Sequence, residues 1–380
     1  MITTLRVIVD DIVSPAFGSQ RRYSEEVTRE LIRTAPVGCQ VSGIVSAVSP
    51  GALETVTTLL PGLTELHRSA LPQRQLQLAW QYGLLRLPGG GMVHAPSLFA
   101  PLSPHDRTNS VGQQTVVTLH DVIAWSHPEA LSPRQVRWQK TMASRAFRFA
   151  DAVVVPTHSV AQALGELFAF GERVRVIPGA VSAKLAVPID AESRTNALDL
   201  PEQYLLTTGS LVPHRGLEPL IRSLAADDDS GLPLLVIGSP DAPEKSVAQL
   251  LHDTGIPAER VRILGPLADA DLAVVLARAT VFIVSSVAEG LPLSLLEAFA
   301  AGIPVVHSDA ASVLEIAADA GVAVRSDDDD TYPERLASAI AGVCGDPQRS
   351  ARLAVAGRDR ARAFSWRDSA RQIWQLHADL

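Results

Sequence analysis

Cysteine is nearly absent. Cys39 and Cys344 are the only two in 380 residues, one in each half. A disulfide framework and a cysteine-based metal site are both poorly served by that count. No apolar run reaches membrane-spanning length. The longest mainly apolar stretch, Leu272–Ala288, is cut by Arg278 and followed by turn residues, so it reads as a helix and then a strand. The segment Met1 to Val13 carries Arg6, Asp10 and Asp11 and does not read as a signal peptide. These features predict a soluble, cytoplasmic protein. No tandem repeat of roughly 20–50 residues is present. An excess of positive charge is also missing: the formal net charge is −8, which argues against a general nucleic-acid binder.

What is present suits a large core. Hydrophobic residues make up 47% of the chain and charged residues 19%, and a chain of this length predicts two domains. The charge divides unevenly. Residues 1–190 hold 17 Lys+Arg and 14 Asp+Glu, whereas residues 191–380 hold 16 and 27. Short apolar strands alternate with amphipathic helices throughout, the pattern of parallel sheets covered on both faces. Residues 182–201 lack periodicity and contain Pro188, Asp190, Ser193, Asn196 and Pro201, which reads as a connection between domains. The expected division is an N-terminal domain over 1–184, a linker over 185–201, and a C-terminal domain over 202–364. A capped final helix over 365–380 starts at Ser365 and Asp368. Two doubly wound domains with a cleft between them follow from this reading.

Three segments can carry chemistry. Glu289-Gly290-Leu291-Pro292-Leu293-Ser294-Leu295-Leu296-Glu297 follows a buried strand and opens a helix. Pro292 suits the first helical position, and the N–H groups beyond it form an anion site at the carboxyl edge of a parallel sheet. Glu297 lies in an otherwise apolar helix, where a ribose diol would satisfy its charge; the helix start and a neighbouring strand are the alternative. Thr208-Gly209-Ser210 leads to His214-Arg215-Gly216 between a strand and a helix. A turn there lets backbone approach a diphosphate, with Arg215 to neutralise it; the alternative is an ordinary turn with a solvated arginine. His120-Asp121 ends the strand Thr115–Leu119, so an imidazole at that edge can donate to a sugar hydroxyl or a phosphate, or serve only the fold.

In this order the three segments resemble the retaining family 4 glycosyltransferases that use nucleotide sugars, closest to the mannosyltransferase-like branch of lipopolysaccharide and capsule enzymes. Val117-Thr118-Leu119-His120-Asp121 resembles that family's His-Asp strand end, Glu289–Glu297 its Glu-x7-Glu motif, and Phe364-Ser365-Trp366 the start of its last helix, which crosses back to complete the first, acceptor-side domain. The resemblance implies a GT-B fold: α/β, with two Rossmann-like domains facing across a cleft. It implies that Glu289 and the backbone of Gly290, Leu291, Pro292 and Leu293 hold the donor sugar and diphosphate, and that Glu297 holds the ribose. It places Arg215 at the position of the usual phosphate-binding lysine, Gly265-Pro266-Leu267 beside the nucleobase, and His120 near the reacting centre. One glycine of the family's first loop is kept, Gly18 in Gly18-Ser19-Gln20-Arg21-Arg22-Tyr23, and Arg21 can contact the phosphates instead.

The implied activity moves a hexose, mannose-like in that branch, from a nucleoside-diphosphate sugar to a glycan or lipid-linked acceptor in cell-surface polysaccharide synthesis. The competing readings are a non-catalytic nucleotide-sugar-binding homologue and a GT-B sugar-nucleotide epimerase or hydrolase. No cofactor and no metal are expected; the aspartates at 227–229 and 327–330 read as solvated connections. Arg134, Arg137, Lys140, Arg145 and Arg148 fall on one helical arc. They read either as a peripheral contact with anionic membrane on the inner face of the cell or as a solvated face.

Overall fold

The computed structural model describes residues 2–14, 18–86, 91–106, 112–226, 231–238 and 246–380. The chain divides into two compact units, residues 1–179 with 365–380, and residues 180–364.

The first unit holds a sheet of seven strands: β1 (Thr3–Ile8), β2 (Cys39–Val45), β3 (Leu66–Arg68), β4 (Met92–Ala95), β5 (Gln114–Thr118), β6 (Ala152–Val155) and β7 (Val174–Val176). Their order is β3-β2-β1-β4-β5-β6-β7, and every pairing is parallel. Parallel strands need crossovers, and the helices that supply them cover both faces, so the strands read as apolar runs. On one face Ile8, Val93, Val117 and Val153 pack with Leu76 and Trp80 of the helix Gln73–Tyr82 and with Met142 and Ala146 of the helix Pro133–Phe149. The final helix, Trp366–Asp379, packs against the helix Ser19–Arg33 of the same unit. There the indole N–H of Trp374 donates to the Leu31 carbonyl at 3.0 Å, and Ser369 Oγ donates to the Pro178 carbonyl at 2.6 Å.

The second unit holds β8 (Leu205–Thr208), β9 (Leu234–Ile237), β10 (Val261–Gly265), β11 (Val281–Val284), β12 (Val305–Ser308) and β13 (Val322–Val324). The order is β10-β9-β8-β11-β12-β13, again all parallel. In both sheets the strand order reverses beside the first strand, between β1 and β4 and between β8 and β11. In open parallel sheets, loops at the carboxyl ends of such a reversal splay apart and leave room for a ligand.

Two sequence expectations need correction. Residues 185–201 are not bare linker: they contain the helix Ala191–Ala197, which packs on the helix Asp269–Arg278, with Arg194 paired to Asp271 at 2.7 Å. Too short for a clear period, that helix gave little signal. Arg145 does not share the exposed basic arc. Its guanidinium donates to the Leu102 carbonyl and lies 5.1 Å over the Phe149 ring. Asp227–Asp229 lie outside the described residues. Asp327 is paired with Arg325 and Arg335, and Asp328 accepts from Thr331 at the start of the helix Tyr332–Cys344.

Two buried histidines join β4 to the last helix. The rings of His94 and His377 meet edge to face, 5.7 Å between centroids. His377 Nδ1 lies 3.1 Å from Gln114 Oε1, while among the described residues neither His94 nitrogen has a hydrogen-bond partner. Burial lowers His94 well below its ordinary 6.5, helped by repulsion from His377, and lowers His377 to about 4. The unfolded chain therefore binds more protons between about pH 6.5 and 4, and stability falls as pH falls through that window. A His377→Gln variant keeps a donor for Gln114 and is expected to flatten the fall of Tm with pH there. Parallel curves for variant and parent would refute the linkage.

Candidate active site

The second unit builds its site at the β8/β11 reversal. Val212–Gly216 follows β8 and returns toward β11. Here the Val287 N–H donates to the His214 carbonyl at 2.9 Å and Ser285 Oγ donates to the Arg215 carbonyl at 3.4 Å. Gly216 makes the approach possible. Its φ is +66°, and an added Cβ would sit 1.9 Å from the Ser285 carbonyl oxygen. The segment after β11 is tied from two further sides. Tyr332 Oη donates to the Ser285 carbonyl at 3.0 Å, and Ser308 Oγ donates to the Ser286 carbonyl at 2.5 Å.

This fixed backbone carries Glu289. One carboxylate oxygen accepts from Arg215 Nη1 at 3.1 Å, and the other accepts from Ser286 Oγ at 2.7 Å. Each oxygen keeps acceptor capacity for a further hydroxyl. Arg215 spends one of its five N–H donors on Glu289, and its side chain stays about two-fifths exposed. The structure thus brings Arg215 and Glu289, predicted separately, into one ion pair. The helix that follows runs Leu293–Ala301, with Pro292 capping it rather than opening it. The Leu293 N–H turns back to the Leu291 carbonyl at 2.9 Å, while the N–H groups of Ser294 and Leu295 point out of the helix start, as the first turn leaves them. Glu297 is buried, at 6% exposure, in a helix whose Leu293, Leu295, Leu296, Ala298 and Phe299 are buried as well.

Gly209 stands at the end of β8, where an added Cβ would meet Leu217 at an ordinary 3.6 Å. Gly265 ends the edge strand β10 with φ +68° and accepts from the Gly238 N–H; Leu267 beyond it is half-buried.

The first unit gathers a second cluster at its own reversal. His120, just past β5, lies 2.8 Å through Nε2 from the Pro96 carbonyl, which follows β4. A carbonyl only accepts, so Nε2 carries the hydrogen and Nδ1 of the neutral ring is an acceptor. Burial lowers the His120 imidazole, opposed by the Pro96 carbonyl and by Asp121 and Asp11. The donor role expected from sequence thus requires the disfavoured charged ring. Tyr23 packs edge-on against His120 at 4.7 Å, and Trp366 of the last helix backs Tyr23 at 5.3 Å. Asp11, after β1, accepts from Ser24 Oγ at 3.3 Å; burial raises its carboxyl, with Ser97, His120, Ser24 and Gln20 opposing. Gly18 precedes the helix Ser19–Arg33 in extended backbone, with open space where a Cβ would go. Sequence reasoning missed Ser286, Asp11 and Ser24. Ser286 had a signal, a hydroxyl three residues before Glu289; the other two had none of their own.

Comparison with known proteins covers both units. A family model described as "Glycosyltransferase Family 4" matches residues 20–185, and one described as "Glycosyl transferases group 1" matches residues 188–360. The chain is 27% identical to a D-inositol 3-phosphate glycosyltransferase of Catenulispora acidiphila, over 99% of this chain and 95% of that one. It is 26% identical to the O-antigen chain mannosyltransferase B of Escherichia coli, over 82% of this chain and 79% of that one. Among solved structures, a sucrose-phosphate synthase from Thermosynechococcus elongatus superposes with a TM-score of 0.74 at 21% identity, covering 99% of this chain and 98% of that one. The HepE protein of Anabaena, crystallised with UDP-glucose, gives 0.72 at 19% identity, covering 99% of this chain and all of that one. Each half is matched by its own model, and each carries a parallel sheet with the reversal its loops exploit, so the chain belongs to glycosyltransferase family 4 and is a transferase with the GT-B fold.

Proposed function

We propose that the protein moves a hexosyl group, with retention, from a nucleoside-diphosphate sugar to a glycan or lipid-linked acceptor of a cell-surface polysaccharide. The observation that carries this reading is the Arg215–Glu289–Ser286 arrangement beside the start of the helix Leu293–Ala301. It sets a cation and unpaired amide groups, suited to a diphosphate, next to a carboxylate suited to sugar hydroxyls. Glu297 is the acceptor for the ribose diol, and Gly265 and Leu267 border the base. In the reaction the bond from the sugar C1 to the phosphate oxygen breaks and a bond from C1 to the acceptor oxygen forms. The leaving diphosphate takes up the electron pair and the acceptor's proton. Arg215 and the helix amides meet the growing negative charge. His120, as a neutral acceptor through Nδ1, suits a donor-sugar hydroxyl.

The reading assigns the charge on the diphosphate to protein groups and needs no metal. A thermal-shift screen of nucleoside diphosphates and their sugars is expected to raise Tm for one base and one sugar above the rest, by mass action. Both the shift and the transfer rate are expected to survive a chelator. A screen in which no nucleotide moves Tm would overturn the donor assignment.

A further inference from the structure

One surface of the first unit is unlike the rest of this acidic protein. Residues 66–105 contain Arg68, Arg74 and Arg86 and no Asp or Glu. Residues 130–150 contain Arg134, Arg137, Lys140, Arg145 and Arg148, again with no acidic residue. The helices of these two stretches, Gln73–Tyr82 and Pro133–Phe149, pack side by side, with Gly83 abutting the Arg145 guanidinium. Both are crossovers of parallel strands, so both run back from the sheet's carboxyl edge and end together at its amino edge. Arg74, Arg86, Arg134, Arg137 and Arg148 are exposed. Among the described residues, Arg74, Arg86, Arg134 and Arg137 form no ion pair with any carboxylate.

The same surface exposes large apolar side chains. Arg74, Leu78 and Tyr82 follow one another at i, i+4 on the outer side of their helix, and Leu84, Leu85 and Arg86 continue past its end. Leu78 is 44% exposed, Tyr82 64%, Leu84 79% and Leu85 36%. Among the described residues no other stretch of eight places four such side chains in solvent. Leu84 is the telling one. The helix ends on left-handed Gly83, with Leu84 N–H bonded to the Ala79 carbonyl and Gly83 N–H to that of Trp80. At such an end the residue in the Leu84 position usually folds its side chain back on the last turn; here it stands out from the protein.

We propose that this surface seats the protein on an anionic lipid bilayer, with the arginines meeting headgroup charge and Tyr82, Leu84 and Leu85 entering the boundary below. A soluble acidic partner would match the charge but leave the leucines unexplained. A second copy would set arginine against arginine. A bilayer with anionic headgroups answers both, because binding there adds apolar burial to Coulomb attraction. One end of the surface, at Arg134 and Arg137, lies toward the carboxyl edge of the sheet, the edge that carries His120. The inference stands on this surface alone and not on the choice of donor or acceptor.

The test uses the full chain with vesicles of phosphatidylcholine, with and without phosphatidylglycerol. The parent is expected to sediment with the anionic vesicles only, and less so as salt rises. The double variant Arg137→Glu, Arg148→Glu is expected to lose at least roughly tenfold in partition. The double variant Tyr82→Ser, Leu84→Ser is expected to bind more weakly at every salt concentration and to lose the fraction that resists salt. A Leu84→Trp variant, probed against the parent, is expected to gain a blue-shifted component of indole emission on anionic vesicles only. Soluble expression and an unchanged Tm in each variant show that the fold is intact. No sedimentation of the parent at low ionic strength would overturn the proposal. So would unchanged partition in the serine variant, or a parent that dimerises in solution and becomes monomeric with those serines.

Discussion

An Arg215→Ala variant is expected to lose transfer about a thousandfold in kcat/KM, or ~4 kcal/mol of transition-state stabilisation, while remaining folded. The two halves of that expectation have separate grounds. In the proposed reading the Arg215 guanidinium, paired with Glu289, meets the departing diphosphate, and its loss withdraws that charge. Its contribution to stability is small, because the ion pair with Glu289 is partly solvated and the carboxylate keeps Ser286. Tm is expected to move by no more than about 3 °C. Glu289→Gln separates the roles further. It keeps one oxygen acceptor but no longer charges the partner of Arg215, so both donor affinity and rate are expected to fall. Full activity in both variants would refute the assignment. An Arg215→Lys variant that recovers part of the rate would show that charge, rather than the two-pronged geometry, is the larger part of the effect.

The second large effect is conformational. Gly216→Ala is expected to destabilise the second unit by about 3–5 kcal/mol, measured as the loss in urea-unfolding midpoint. The left-handed backbone alone disfavours alanine, and the new Cβ would overlap the Ser285 carbonyl at 1.9 Å. Ser285 cannot yield cheaply, because Tyr332 holds that same oxygen and Ser308 holds the next one. Gly209→Ala, seven residues earlier in sequence but still in the turn system, is the internal control: its Cβ would meet Leu217 at an ordinary 3.6 Å, and a change below about 1 kcal/mol is expected. Equal losses at the two positions would show that the contact between the two loops is not what holds the site.

These two glycines also show where sequence legibility stops. The strand-then-helix alternation is plain in both halves because fully buried parallel strands are apolar on both sides, with one exception. The exception, β3, has three residues, two of them exposed, at the edge of its sheet. The helix Pro50–Leu59 is likewise hard to read from sequence: only Val56 is buried, so it has almost no apolar face to detect. Glu289 and Glu297 could be picked out because a charged residue in an apolar context has no ordinary reason to be there. Gly216 could not be ranked above Gly209, since the distinction lies in the distant Ser285 carbonyl. Asp11 and Ser24 were invisible for the same reason. Helical periodicity placed Arg145 on the outward arc with Arg148, but it could not see the Leu102 carbonyl that draws the side chain in.

The first unit is interrupted in sequence. It stops at Gly179 and resumes at Ser365. On the ribosome, therefore, its sheet emerges first and then waits while the whole second unit is made, on the order of ten seconds or more at typical elongation rates. During that wait Tyr23 and the Leu31 carbonyl lack Trp366 and Trp374, the latter lying 343 residues further on. Until then the face of the helix Ser19–Arg33 that receives the last helix is without its native cover, and the second unit has its whole sequence before the first does. The helix Trp366–Asp379 is thus made after the second unit, yet it closes the first.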